Sequence, residues 1–164
     1  MKAASASILA IPQTSPTRYI SGIVALNIPS ESGTGDWHQS SIFFVPRLKT
    51  PGSFIIELGQ PFDPSELLGG VGIYDASPVL DSMRINHPEG PVYAASHARA
   101  IADLVIISLL RGTYPDHIDL DEWMPQDNDK AAVFALLRRA SQKCDNKIVD
   151  ALNKWINTNT LESN

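Results

Sequence analysis

The sequence predicts an α+β domain: a small antiparallel sheet from the N-terminal half, packed on a central buried helix and C-terminal helices. Three observations carry this. Short β-branched runs separated by turn residues crowd positions 19–58. Ser96 to Arg111 is apolar nearly all the way round a helix, the pattern of a buried one. From Asn128 onward a helical period returns without strand signals. Strands first and helices last is the α+β order.

Taken in order, residues 1–17 are small and polar, with Pro12 and Pro16, and read as a loose arm before a single domain over 18–164. Tyr19 to Ile28 is β-branched (Ile20, Ile23, Val24, Ile28) and predicts a strand, ended by Pro29. Residues 29–36 form a turn-rich loop, Ser41–Val45 a second strand and Phe54–Leu58 a third. The short connections favour antiparallel pairing. Asp63-Pro64-Ser65-Glu66 has the N-cap, N1 and N3 residues of a short helix closed by Gly69-Gly70. Ser77-Pro78 opens another, through about Arg84. Ser96 caps the long helix, and Gly112 and Pro115 stop it. Arg99 and Asp103, four apart on that helix, suit an ion pair. The C-terminal part, 127–157, holds two helices. Val133, Leu137 and Ala140/Ser141 stripe the first, Asp145 or Asn146 breaks the chain, and Ile148, Leu152, Trp155 and Ile156 stripe the second.

Composition narrows the function classes. Of 164 residues, 43% are hydrophobic and 19% charged, a globular balance. The single cysteine, Cys144, excludes an internal disulfide and a Cys-rich metal site. No apolar run approaches the roughly 18 residues of a membrane span. Pro12, Gln13 and Thr14 interrupt the start before a signal segment forms, so a cytoplasmic protein without membrane contact is expected. The net charge of −5 is uneven: +1 over residues 1–62, −9 over 63–129 and +3 over 130–164. Asp116, Asp119, Asp121, Glu122, Asp127 and Asp129 form the densest acidic stretch. Such a stretch is either a solvated loop or a docking face for a basic partner. The basic cluster Arg138, Arg139, Lys143 and Lys147 does not outweigh it, which disfavours direct nucleic-acid binding.

Several residues could carry chemistry. In Gly33-Thr34-Gly35-Asp36-Trp37-His38, Asp36 could orient His38 as a general base, and Trp37 could anchor an interface. The plain alternative is a hairpin corner with its indole turned inward. The histidines His38, His87, His97 and His117 lack the spacing of a metal site, and no phosphate loop or nucleophile elbow is present. No cofactor is expected. An enzymatic reading, a small hydrolase or transferase, would use Asp36 and His38 with His97 and an anion-binding Arg99.

Three segments carry a resemblance: Gly22-Ile23-Val24-Ala25-Leu26-Asn27-Ile28-Pro29, Gly35-Asp36-Trp37-His38, and Val92-Tyr93-Ala94-Ala95-Ser96-His97-Ala98-Arg99-Ala100-Ile101-Ala102-Asp103-Leu104. Together they resemble the antitoxin-like proteins encoded beside nucleotidyltransferase-type toxins in bacterial toxin–antitoxin or abortive-infection modules. The likeness spans about residues 20–110. This chain departs from it in a longer, Pro-rich N-terminal arm and a longer C-terminal region. The resemblance implies a non-enzymatic binding protein that neutralises a cognate toxin, of nucleotidyltransferase or RNase type, by direct contact. A basic groove on such a toxin would suit an acidic partner. Asp36, Trp37 and His38 form one expected contact patch. The segment 116–129, with Asp119, Asp121 and Glu122, forms another together with Trp155. A second copy of the chain is a further candidate partner. Autoregulation of its operon by DNA binding is the remaining alternative.

Overall fold

The first strand, β1 (Arg18–Ile20), runs straight into helix α1 (Gly22–Leu26). The computed structural model describes residues 11–30, 55–60, 62–124 and 126–160. After β1 and α1 come β2 (Ile55–Glu57), α2 (Ser65–Leu68), β3 (Ile73–Asp75), α3 (Ser77–Ser82), β4 (Tyr93–Ala95), α4 (His97–Leu110), α5 (Leu120–Trp123), α6 (Asp127–Ser141) and α7 (Asn146–Thr160). The class is α+β, as the sequence predicts.

The strands form one sheet in the order β2-β1-β4-β3. Its two outer pairings are antiparallel, with Tyr19 opposite Ile56 and Tyr74 opposite Ala94. The central pairing, β1 with β4, is parallel, so the sheet is mixed rather than antiparallel throughout. Parallel neighbours need a long crossover. Here β2, α2, β3 and α3 all lie between the two central strands, which supplies the length.

Half of the predicted strand over Tyr19–Ile28 is a helix, and only its first two residues stay in a strand. Gly22 adopts φ +65°, a left-handed conformation that ends the strand. Beyond it, Val24, Ala25 and Leu26 bury one face against α4. Burial outweighs the strand preference of Ile23 and Val24. The predicted strand at Ser41–Val45 lies outside the described residues. Strands β3 and β4 were not anticipated; each has three residues and no readable alternation.

Local capping chemistry builds the helices around this sheet. Asp63 accepts the Ser65 N–H at 2.8 Å at the start of α2. Asp75 accepts from Ser77 N–H at 2.9 Å and Val92 N–H at 3.0 Å, tying α3 to the entry of β4. Ser96 accepts the Arg99 N–H at 3.2 Å, the predicted N-cap of α4, and Gly112 at φ +81° follows its end. Asp145 accepts the Ile148 N–H at 3.0 Å and opens α7. Helix α4 lies centrally, with α1 on one side and α6 on another. The stripes Val133-Leu137-Ala140 and Leu152-Trp155-Ile156 complete the core. In the N-terminal arm, Ile11 is buried and Thr14 Oγ1 accepts the Tyr93 N–H at 2.9 Å.

Candidate partner-binding site

The acidic stretch begins at Asp116, a short turn after the end of α4, and is tied to α7. Asp119 adopts an extended backbone and caps α5, its Oδ1 accepting the Asp121 N–H at 2.9 Å. The part read as acidic loop therefore contains a one-turn helix. Lys130 of α6 pairs with Asp121. Near the end of α7, Asn159 accepts the Leu120 N–H at 3.0 Å and donates to the Trp155 carbonyl at 2.9 Å. These bonds bring residues 114–121 onto the Trp155 side of α7.

Between them lies an open cavity of about 220 Å³, lined by Tyr114, Asp116, Asp119, Asp121, Trp155 and Thr158, among others. Its carboxylates are acceptors and carry negative charge. Two of its lining residues, Trp155 and Tyr114, also carry side-chain polar atoms that are themselves buried, with almost no surface of their own. Among the described residues, only Trp155 Nε1 and Tyr114 Oη are buried side-chain polar atoms with no hydrogen-bond partner. Buried donors are rarely left so. Trp155 is 1% exposed and meets Phe134 edge-on at 6.5 Å, so it is a core side chain that also forms cavity wall. The Lys154 ammonium sits 4.8 Å over the Tyr114 ring.

Of the expected contact residues, Asp119, Asp121 and Trp155 thus meet around one cavity. Glu122 is exposed on α5 beside it without lining it. Asp36, Trp37 and His38 lie outside the described residues. Tyr114, Thr158 and Asn159 were not singled out from the sequence. The one available signal was Asn159, a polar residue four positions after Trp155 on a buried stripe.

His97 and Arg99 are committed elsewhere. His97 is 4% exposed, with Nε2 at 2.7 Å from the Ile28 carbonyl oxygen. Arg99 is 0% exposed and spends its guanidinium inside the fold. Nε donates to Asp103 Oδ1 at 2.8 Å, Nη1 to the Gly69 and Val71 carbonyls at 2.8 and 2.6 Å, and Nη2 to Tyr19 Oη at 2.8 Å. Asp103 Oδ2 in turn accepts from Tyr19 Oη at 2.9 Å and Ser21 Oγ at 2.7 Å. Burial and the Asp103 charge hold the Tyr19 phenol protonated, well above its usual range. Gly72, at φ +79°, lets the chain pass: a Cβ there would stand 2.8 Å from Arg99 Cβ.

Among the described residues no group of three or more His, Cys, Asp or Glu is placed to hold a metal ion. His87 is bound between Asp81 and the Pro88 carbonyl, each at 2.7 Å, and His117 is exposed. Arg138, Arg139 and Lys143 line a separate groove of about 900 Å³ between α6 and the start of α4. No helix among the described residues is long and apolar enough to cross a membrane. No protein-family model, curated protein or solved structure matches this chain.

Proposed function

We propose that this chain is a binding protein that neutralises a basic partner, a toxin of nucleotidyltransferase or RNase type, by direct contact through its acidic face. The observation that carries the reading is the meeting of Asp116, Asp119 and Asp121 around one cavity, beside Trp155 and Tyr114. A cluster of carboxylates steers a cationic surface toward itself and speeds association. The resemblance of residues 20–110 to antitoxin-like proteins supports the same class. The enzymatic alternative loses its anion-binding group, because every donating nitrogen of the Arg99 guanidinium is already bonded within the fold.

Co-expression with the protein encoded beside it tests this. Growth arrested by that neighbour is restored, and the two co-purify as a complex whose association slows as salt rises. Unrelieved arrest, with no complex formed, overturns the reading.

A further inference from the structure

Helix α6 carries opposite charges at the two ends of one exposed face. Asp127 and Asp129 stand at its start and Arg138 and Arg139 at its end, with Lys143 just beyond. Among the described residues none of these side chains forms an ion pair. Between the charged ends Ala131, Ala132 and Ala135 are exposed, where a solvated helix face ordinarily carries polar side chains. The same face borders the groove of about 900 Å³, lined by the apolar Val71, Ala98 and Leu136 and by Arg138, Arg139 and Lys143, with no carboxylate. The helix dipole favours acids at a start and bases at an end, but anywhere round the axis. Here Asp127, Ala131, Ala135 and Arg138 recur at steps of four, four and three, which keeps both charges and the small residues on one side.

Such a face complements a second one running antiparallel to it. Asp127 and Arg139 are separated by about 18 Å along the axis, at 1.5 Å per residue. Turning one copy about a two-fold axis level with Val133 sets Asp127 of each copy against Arg139 of the other, and Ala131 against Ala135. Both charged ends are then matched at once, the two helix dipoles oppose, and the alanines let the axes approach to about 8 Å, the close end of helix packing. We propose that the groove beside α6 receives the acidic start of α6 from a second copy of this chain, in an isologous two-fold dimer. A free anion answers the basic residues alone and leaves the alanines, Asp127 and Asp129 unmatched. The pairing goes beyond the partner binding above and uses none of the residues that line the cavity beside Trp155.

Sedimentation velocity of the full chain, from about 1 to 100 µM, covers the range of a small interface. The expected result is a monomer–dimer equilibrium that shifts toward monomer as salt rises, without larger species, because an isologous contact closes on itself. Arg138→Glu with Arg139→Glu, and separately Asp127→Lys with Asp129→Lys, each weaken the dimer about a hundredfold or more, since like charges then meet. Mixed in equal amounts, the two variants pair again, because every acidic end now faces a basic one; misfolded chains would not regain the dimer on mixing. Asp116→Lys with Glu122→Lys, on the neighbouring acidic surface, leaves the dimer intact. A monomer throughout the range overturns the proposal. So do open-ended larger species, a mixture that stays monomeric, or a dimer lost in Asp116→Lys with Glu122→Lys. None of these readouts involves the protein encoded beside this chain, so the partner-binding reading stands or falls apart from them.

Discussion

Removing the Arg99 guanidinium should cost this fold a large part of its stability. In Arg99→Met the four hydrogen bonds of the guanidinium disappear, and Asp103, 1% exposed, keeps only the Tyr19 and Ser21 hydroxyls. Breaking a buried ion pair from one side typically costs about 3–5 kcal/mol, because the surviving charge stays buried without its counterion. A domain of this kind holds about 5–15 kcal/mol in total. The melting temperature should therefore fall by roughly 6–20 °C, at about 2–4 °C per kcal/mol for a chain of this length. Adding Asp103→Leu removes the stranded carboxylate. The Gly69 and Val71 carbonyls belong to exposed residues, so water can replace the arginine there. The double variant should then recover about 2–3 kcal/mol of the summed single losses. Urea unfolding followed by circular dichroism measures all of these. A loss below about 1 kcal/mol for Arg99→Met, the range of exposed pairs, refutes the account and frees Arg99 for a ligand.

Three further outcomes follow from the same geometry. Gly59→Ala should cost about 1–2 kcal/mol from its φ of +88° alone, with nothing within 4 Å of the new methyl, whereas Gly72→Ala should cost clearly more because its Cβ meets Arg99 Cβ; equal melting temperatures would refute the close approach. Burial draws the His87 pKa down, but the Pro88 carbonyl, Asp81 and Asp75 outweigh it and hold the imidazolium above its ordinary value. Its stabilising contribution is complete below about pH 6.5 and lost as pH rises through the folded value, so wild type should lose more stability than Asp81→Asn between pH 6 and 9, and parallel melting curves would reject this. Asp145→Ala should destabilise by about 1 kcal/mol while Asp145→Ser stays within a few tenths, since only the side-chain acceptor for Ile148 N–H matters; identical denaturation midpoints for both variants would discard the cap.

The helices that carry the core were legible because each is signalled locally and by period at once. Ser96 and Gly112 bracket α4, Asp145 opens α7, and the stripes of α6 and α7 face inward as their spacing requires. The Arg99–Asp103 pair was legible for the same reason, being one helical turn apart. What was not legible depends on distant partners. Helix α1 exists because Val24, Ala25 and Leu26 find α4, more than seventy residues later in the chain. The parallel join of β1 to β4 has no local signal at all, and strands of three residues give periodicity nothing to work on. The candidate site sits on the boundary between the two cases. Its charge could be read from a run of aspartates, and Trp155 could be read from a stripe, but as a docking anchor and as a core residue in separate arguments. The fold shows the core role and sets the same side chain in a cavity wall. An indole on an apolar stripe brings a donor into the core, and packing against Phe134 offers that donor nothing. What joins the acidic segment to the C-terminal helix is Asn159, whose side chain accepts the Leu120 N–H and donates to the Trp155 carbonyl, so that two stretches read separately in the sequence come to line one cavity.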